Sequence, residues 1–398
     1  MAALHELRRS GAASTPAPSF ALWSLGFRPF YLAASLFAAL SIPLWIAQYA
    51  GYPPFAYVRG PAAHAVEMLF GYTLAVIAGF LFTAVRNWTG RPTPTGGTLV
   101  AFVLLWLAGR VLAVTPHPLV AALVDAAFPL AVAVGIGIPI VRAGNRRNYF
   151  FIALLVVLAA ASLVLHLSML ALLPWSELPT LRVVLDLMIF LMAVMGGRVI
   201  PMFTNNGVPG ANARRLPALE KAALGGVVLL ALADAVQAPA VALVPLCAAL
   251  AVLHAWRLAL WQPWRTWRTP LVWILHAAYA WIGVYFVLRA LAAADLVAEP
   301  IAVHALTIGA IGGLTLGMMT RTARGHTARP LVADRADVAC YTLVMLAAIC
   351  RVGGALIWPG GYVVTVVASG VFWACAFVVY TAAYAPFLLR PRLDGKPG

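Results

Sequence analysis

Long apolar stretches alternate with short polar connections along almost the whole chain. Twelve stretches reach roughly 20 residues, the length that a helix needs to cross the apolar core of a bilayer. They cover 21–50, 64–85, 98–114, 118–141, 149–173, 181–203, 219–236, 239–260, 270–291, 299–320, 336–358 and 361–389. The pattern predicts an all-α polytopic membrane protein with twelve transmembrane helices. We expect 1–20 to form a disordered cytoplasmic tail, 21–390 a single transmembrane domain and 391–398 a second cytoplasmic tail.

The composition indicates that the lipid bilayer is the main partner of this protein. Hydrophobic residues make up 63% and charged residues 10% of the 398 positions, which is outside the range of soluble domains. The formal net charge of +15 comes from Lys and Arg that gather in the tails and the even-numbered connections. By the positive-inside rule, both termini are therefore cytoplasmic. Because these basic residues do not form a groove with aromatic residues, we expect no nucleic acid partner.

Several residues recur along the chain at nearly constant intervals. The segments Thr89 to Pro92 and Thr327 to Pro330 close two apolar stretches and lie 238 residues apart. Gly79, Gly197 and Gly317 follow at intervals of 118 and 120 residues, each near the end of an even-numbered helix. This pattern predicts three four-helix units in a pseudo-threefold arrangement, which cover 21–141, 142–260 and 261–390. The alternative is that such residues recur at helix ends by chance and by the positive-inside rule.

Polar side chains at membrane depth are the candidates for chemistry, because their burial in lipid is costly. With the N-terminus inside, His64 and His304 begin the second and tenth helices near the outer face, and His166 lies late in the fifth. His276 lies about two turns into the ninth helix, near the inner face. Neutral imidazole is a ligand for haem iron and for copper. Glu67 follows His64 by three residues on the same helix face, where it could orient a ligand or relay a proton.

These positions lead to a prediction of the cofactor site. We predict His64, Glu67 and His304 as cofactor-binding residues, and His64, His166, His276 and His304 as metal ligands. Two histidines from separate helices at one depth are what a haem between them requires. The four cysteines form no CxxCH motif, which excludes a covalent c-type haem. The alternative is that each histidine is an isolated hydrogen-bonding residue near a helix end.

Motifs spread over the whole chain resemble those of the NnrS family of bacterial inner-membrane proteins. They include Phe27-Arg28-Pro29-Phe30, His64-Ala-Val-Glu67-Met68, Asn87-Trp88-Thr89-Gly90-Arg91-Pro92, Gly196-Gly197-Arg198, Trp273-Ile274-Leu275-His276 and Gly325-His326-Thr327. The resemblance implies a protein that carries haem and copper and is associated with nitric oxide, nitrosative stress and denitrification. One residue departs from the family pattern: Val66 stands where the His-x-His-Glu-Met motif has its second histidine. Either His64 serves instead, or one metal site is altered or absent.

Two functions are consistent with these observations. The first is a haem and copper protein, with a non-covalent b-type haem, that handles or responds to nitric oxide in the bacterial inner membrane. The second is a permease or assembly factor that moves a metal, haem or metal-nitrosyl species without catalysis. In the second case, the buried histidines would form a translocation path from His304 to His276.

Overall fold

The computed structural model describes residues 20–52 and 60–396 of the protein, and it is helical, with no strand in those residues. In chain order the helices are α1 (Phe27–Tyr49), α2 (Gly60–Thr89), α3 (Gly96–Leu112), α4 (Pro118–Arg142), α5 (Tyr149–Met169), α6 (Glu177–Gly207), α7 (Pro217–Ala235), α8 (Ala240–Leu260), α9 (Pro270–Ala293), α10 (Glu299–His326), α11 (Arg335–Ile357) and α12 (Tyr362–Leu389). The expected N-terminal tail lies, except for Phe20, outside the described residues. Most helix bounds fall within a few residues of the apolar stretches.

The helices are those of a multi-pass membrane protein. Ten helices in the described ranges are long and apolar enough to cross a bilayer. The other two are α3, which is shorter, and α7, which carries Glu220, Lys221 and Asp234 within its 19 residues. On α4, Leu123 and Val134 are each 62% exposed, as expected for side chains that face lipid.

Three helices, α2, α6 and α10, form the centre of the bundle. In their most apolar 18-residue windows, 89%, 67% and 72% of the residues are buried, against 33% in α1 and α8. Around this centre, α12 packs against both α11 and α1, so the last helix contacts the first. The remaining strong contacts join α4 to α5, α8 to α9 and α6 to α7.

Two of the central helices contain a π-helical segment near their start. In α2 it covers Glu67–Thr73 and in α10 it covers Ala305–Gly312, so the two segments begin 238 residues apart, the interval seen in the sequence. π-Helical turns are rare and often lie at functional sites. The backbone of the first segment contacts α3, because Trp106 Nε1 donates a hydrogen bond of 2.8 Å to the Gly71 carbonyl. Side chains join the two helices through a 2.7 Å hydrogen bond between the Tyr72 and Thr315 hydroxyls.

Close approach between α9 and α10 depends on glycine within the second π-helical segment. A Cβ atom at Gly309 would overlap the ring of Trp281. By contrast, a Cβ atom at Gly225 of α7 would have no neighbour within 4 Å. The two positions therefore form a matched pair for testing helix packing.

We expect Gly309→Ala to destabilise the protein by about 1–3 kcal/mol, the usual cost of overpacking. Gly225→Ala should be neutral or slightly stabilising, because alanine restricts the unfolded chain and meets no obstacle. The measurement is thermal unfolding followed with a thiol-reactive dye, since Cys247 and Cys340 are buried in the folded protein. Equal melting temperatures for the two variants would contradict this account of the α9 and α10 contact.

Candidate cofactor site

His64 and His304 lie close together at one end of the bundle, although they are 240 residues apart in sequence. His304 interacts electrostatically with both His64 and Arg351 of α11. The His64 ring packs on Trp45 of α1, with 4.5 Å between ring centroids. Both histidines are half-buried. The structure thus assembles two imidazoles from different central helices beside a guanidinium.

Hydrogen bonding defines the ring nitrogen that His304 can offer to a metal. Its Nδ1 atom lies 2.6 Å from the carbonyl oxygen of Pro300, one helical turn earlier. Because a carbonyl only accepts, Nδ1 carries the proton of the neutral ring and donates it to Pro300. The Nε2 lone pair is then available to bind a metal, in the arrangement common to metal-binding histidines.

Arg351 has a donor that is buried and unused. Its Nη2 atom donates a 2.8 Å hydrogen bond to the hydroxyl of Tyr362. Its Nη1 atom is buried and has no hydrogen-bond partner among the described residues. An unmet guanidinium donor is costly in an apolar setting and fits a carboxylate well. Imidazole and guanidinium are the kinds of group that bind haem iron and haem propionates.

Glu67 belongs to a different network from His64. Its Oε2 atom lies 2.5 Å from Nη1 of Arg110 on α3, and Arg110 also forms an ion pair with Asp125 of α4. The second oxygen of Asp125 lies 2.9 Å from Nε2 of His166 on α5. The structure therefore joins Glu67 and His166 through Arg110 and Asp125, and Glu67 contacts Arg110 where the sequence suggested His64.

His276 lies apart from the other three predicted ligands. Its Nε2 atom is 2.8 Å from the hydroxyl of Thr204 on α6, and that hydroxyl donates to the Ile200 carbonyl. Its Nδ1 atom is buried with no hydrogen-bond partner in the described residues. Over residues 20–52 and 60–396, no group of three His, Cys, Asp or Glu could hold a metal ion. The four predicted ligands thus occupy three separate places.

The sequence of this chain matches a known protein family. A family model described as NnrS protein matches residues 21–392. The chain belongs to the NnrS family. This confirms the resemblance seen in the sequence. No curated protein matches the chain.

In this NnrS protein, Val66, where the resemblance implies a second histidine, is a core residue. Val66 is 2% exposed and directly precedes the first π-helical segment, as His304 precedes the second. The two residues therefore occupy corresponding places in α2 and α10. A buried valine side chain has no lone pair, so only His64 offers an imidazole from this end of α2.

A second buried polar cluster was not singled out from the sequence. Arg257 of α8 donates to the Glu220 carboxylate of α7 at 3.1 and 2.8 Å and to the Tyr279 hydroxyl of α9. His254 Nδ1 lies 2.8 Å from the same hydroxyl. An additional donor of Arg257 reaches the Ala193 carbonyl of α6 at 3.0 Å. A carboxylate and a guanidinium on neighbouring apolar helices were the feature of the sequence that could have indicated this cluster. The cluster holds α6, α7, α8 and α9 together.

Removal of Arg110 should destabilise the protein strongly, because Glu67 and Asp125 would be left without their cation. We expect Arg110→Met to cost about 3–5 kcal/mol. Adding Glu67→Gln and Asp125→Asn should recover part of that loss, since the buried charges are removed. The exposed Arg142 of α4 provides the control: Arg142→Met should melt at the wild-type temperature. A wild-type melting temperature for Arg110→Met would show that the network does not stabilise the fold.

Proposed function

We propose that this NnrS protein is an inner-membrane protein that binds a non-covalent b-type haem and acts in nitric oxide metabolism or resistance to nitrosative stress. The observation that carries the proposal is the proximity of His64, His304 and Arg351. A bound haem would supply a redox-active iron centre. His64 and His304 would hold the iron, and Arg351 would bind a propionate through Nη1.

The remaining predicted residues have supporting roles in this proposal. The carboxylate of Asp125 fixes His166, and Arg110 fixes Glu67. These four side chains lie beside the first turns of α2, so they support the helix that carries His64. His276 is proposed to orient α9 against α6 through Thr204. The proposal concerns haem, and copper, which the family resemblance also implies, stays a prediction.

The proposed topology follows the repeat and the charge distribution. We propose twelve transmembrane helices, with α3 and α7 included, and three four-helix units whose second helices are α2, α6 and α10. The corresponding π-helical segments in α2 and α10 support this arrangement. Clustering of arginine at the end of the bundle opposite His64 supports cytoplasmic termini.

A second candidate function rests on two adjacent cavities. A small cavity of about 70 Å³ lies between the central helices, and Phe80, Met195, Val199 and Met318 line both it and a larger cavity of about 760 Å³. A permease or assembly factor needs a path through the bundle, and these two cavities are candidates for parts of one. This function predicts transport of a metal, haem or metal-nitrosyl species by protein in liposomes.

The haem proposal is tested by the absorption spectrum of the purified protein. We expect a stoichiometric b-type signal that is lost in His64→Ala and in His304→Ala, because each variant removes an iron ligand. Arg351→Gln should retain the signal but lose haem more readily on dilution, since a propionate loses its ion partner. His117→Ala is the matched control, because His117 is exposed and lies outside the cluster.

The amount of haem is measured as haem per folded protein after expression with a haem precursor. Thermal unfolding of each preparation separates loss of haem from loss of fold. A colourless, folded wild-type protein would overturn the proposal and leave the transport function as the candidate. A haem signal that survives both histidine variants would show that the iron is bound elsewhere.

A further inference from the structure

The larger cavity is a basic vestibule between the ends of α2, α6 and α10 opposite His64. We define it by its four cationic or titratable side chains, Arg147, Arg198, Arg321 and His326, together with polar and aromatic neighbours such as Trp88. No Asp or Glu is among the described residues that line it. At about 760 Å³, it has the size of a site for a small organic molecule, for which roughly 300–1,000 Å³ is usual.

Arg321 is the most informative residue of the basic vestibule. It is 9% exposed, and its guanidinium carbon lies 3.9 Å from the ring centroid of Phe203. No hydrogen bond and no carboxylate engage it in the described part of the chain. Its guanidinium therefore lies in the cavity without a counter-charge. The Phe203 ring fixes its position without neutralising its charge.

Arg198 is also held by neutral groups. Its Nη1 atom donates a 2.9 Å hydrogen bond to the side-chain carbonyl of Asn148, and it lies over the ring of Phe150 at 5.5 Å. Its charged neighbours are Arg147 and Arg215, which repel it. Guanidinium groups ordered by amides and aromatic rings keep their full charge and their free donors for another ligand.

The carboxylates that the structure describes at this end of the protein are already engaged. Glu220 pairs with Arg257 and Arg215, and Asp394 pairs with Arg392. Asp334 and Asp337 both pair with Arg324. Each of these carboxylates already has an arginine partner, and none of them lines the basic vestibule. The positive-inside rule explains exposed arginines in loops, but Arg198 and Arg321 lie within α6 and α10.

We propose that the basic vestibule binds an oxyanion, a carboxylate or phosphate group, with Arg321 and Arg198 as its ligands. Planar guanidinium groups recognise these oxyanions through paired N–H donors. The apolar walls, which include Trp88 and Phe203, favour an oxyanion attached to an apolar body. This site is independent of the proposed haem site, because it shares no residue with the cluster of His64, His304 and Arg351.

The test uses the full-length protein in nanodiscs of phosphatidylcholine, with isothermal titration calorimetry at fixed ionic strength. The probes are inorganic phosphate, citrate and phenyl phosphate. We expect saturable binding of at least one probe, with phenyl phosphate tighter than inorganic phosphate. Arg321→Gln should weaken it at least tenfold, and Arg198→Gln should weaken it as well. Arg142→Gln, at an exposed arginine of α4 outside the vestibule, should bind like the wild type.

Thermal unfolding provides a readout that separates binding from folding. Without an oxyanion, Arg321→Gln should melt at or above the wild-type temperature, because it removes an unpaired charge. With phenyl phosphate, the melting temperature should rise in the wild type and in Arg142→Gln but not in Arg321→Gln. A variant that melts well below the wild type without an oxyanion would show that Arg321 has a structural partner, which contradicts the proposal.

A second arm distinguishes a lipid headgroup from a soluble anion. Nanodiscs with phosphatidylglycerol replace those of phosphatidylcholine, and no free oxyanion is added. A rise in melting temperature that depends on Arg321, without binding of any soluble probe, would identify a lipid phosphate as the ligand and support the proposal. Absence of an Arg321-dependent effect in both arms would overturn it, whatever the haem content of the protein.

Discussion

The fold depends on the neutralisation of charges that the helices bury between them. An arginine inside an apolar bundle needs a carboxylate or an equivalent acceptor, and most buried arginines here have one on another helix. Arg110 joins α2, α3 and α4, Arg257 joins α7 and α8, and Arg289 joins α7, α9 and α10. Arg324 binds Asp337 of α11 and the Tyr384 hydroxyl of α12. Each pair fixes the register of helices that apolar packing alone would allow to slide.

Because most buried arginines here have a partner, an arginine without a counter-charge indicates a site for a ligand. Arg351 has a buried Nη1 atom without a partner beside His64 and His304, and Arg321 has only an aromatic ring in the basic vestibule. Both lie next to groups that suit a ligand: imidazoles in the first case, and an amphipathic cavity in the second. The same rule of charge neutralisation therefore identifies two sites with different chemistry.

Some features of the fold and the site could be predicted from the sequence. Helix positions follow from apolar stretches of bilayer length, and the 238-residue interval matches His304 with Val66, two residues after His64. The π-helical segments could not be predicted, because hydrophobicity does not report whether a carbonyl accepts from the fourth or the fifth residue. The partner of Glu67 is Arg110, which is 43 residues away, and only the packing of α3 against α2 brings them together. From the sequence, Arg321 is only one of the basic residues that predict the membrane topology, because its burial depends on contacts with α6.

The two sites lie at opposite ends of the same helix, and this explains how one bundle can hold both. His304 and Arg321 are separated by 17 residues of α10, roughly 25 Å along the helix axis. Along α10, His304 interacts with Arg351 of α11, and Thr315 forms a hydrogen bond with Tyr72 of α2. The apolar cavity between the sites, lined by Met192, Met195 and Met318, contains no charge that could pair with either end. Each proposed site would therefore be neutralised locally, the first by the proposed haem and the second by the proposed oxyanion.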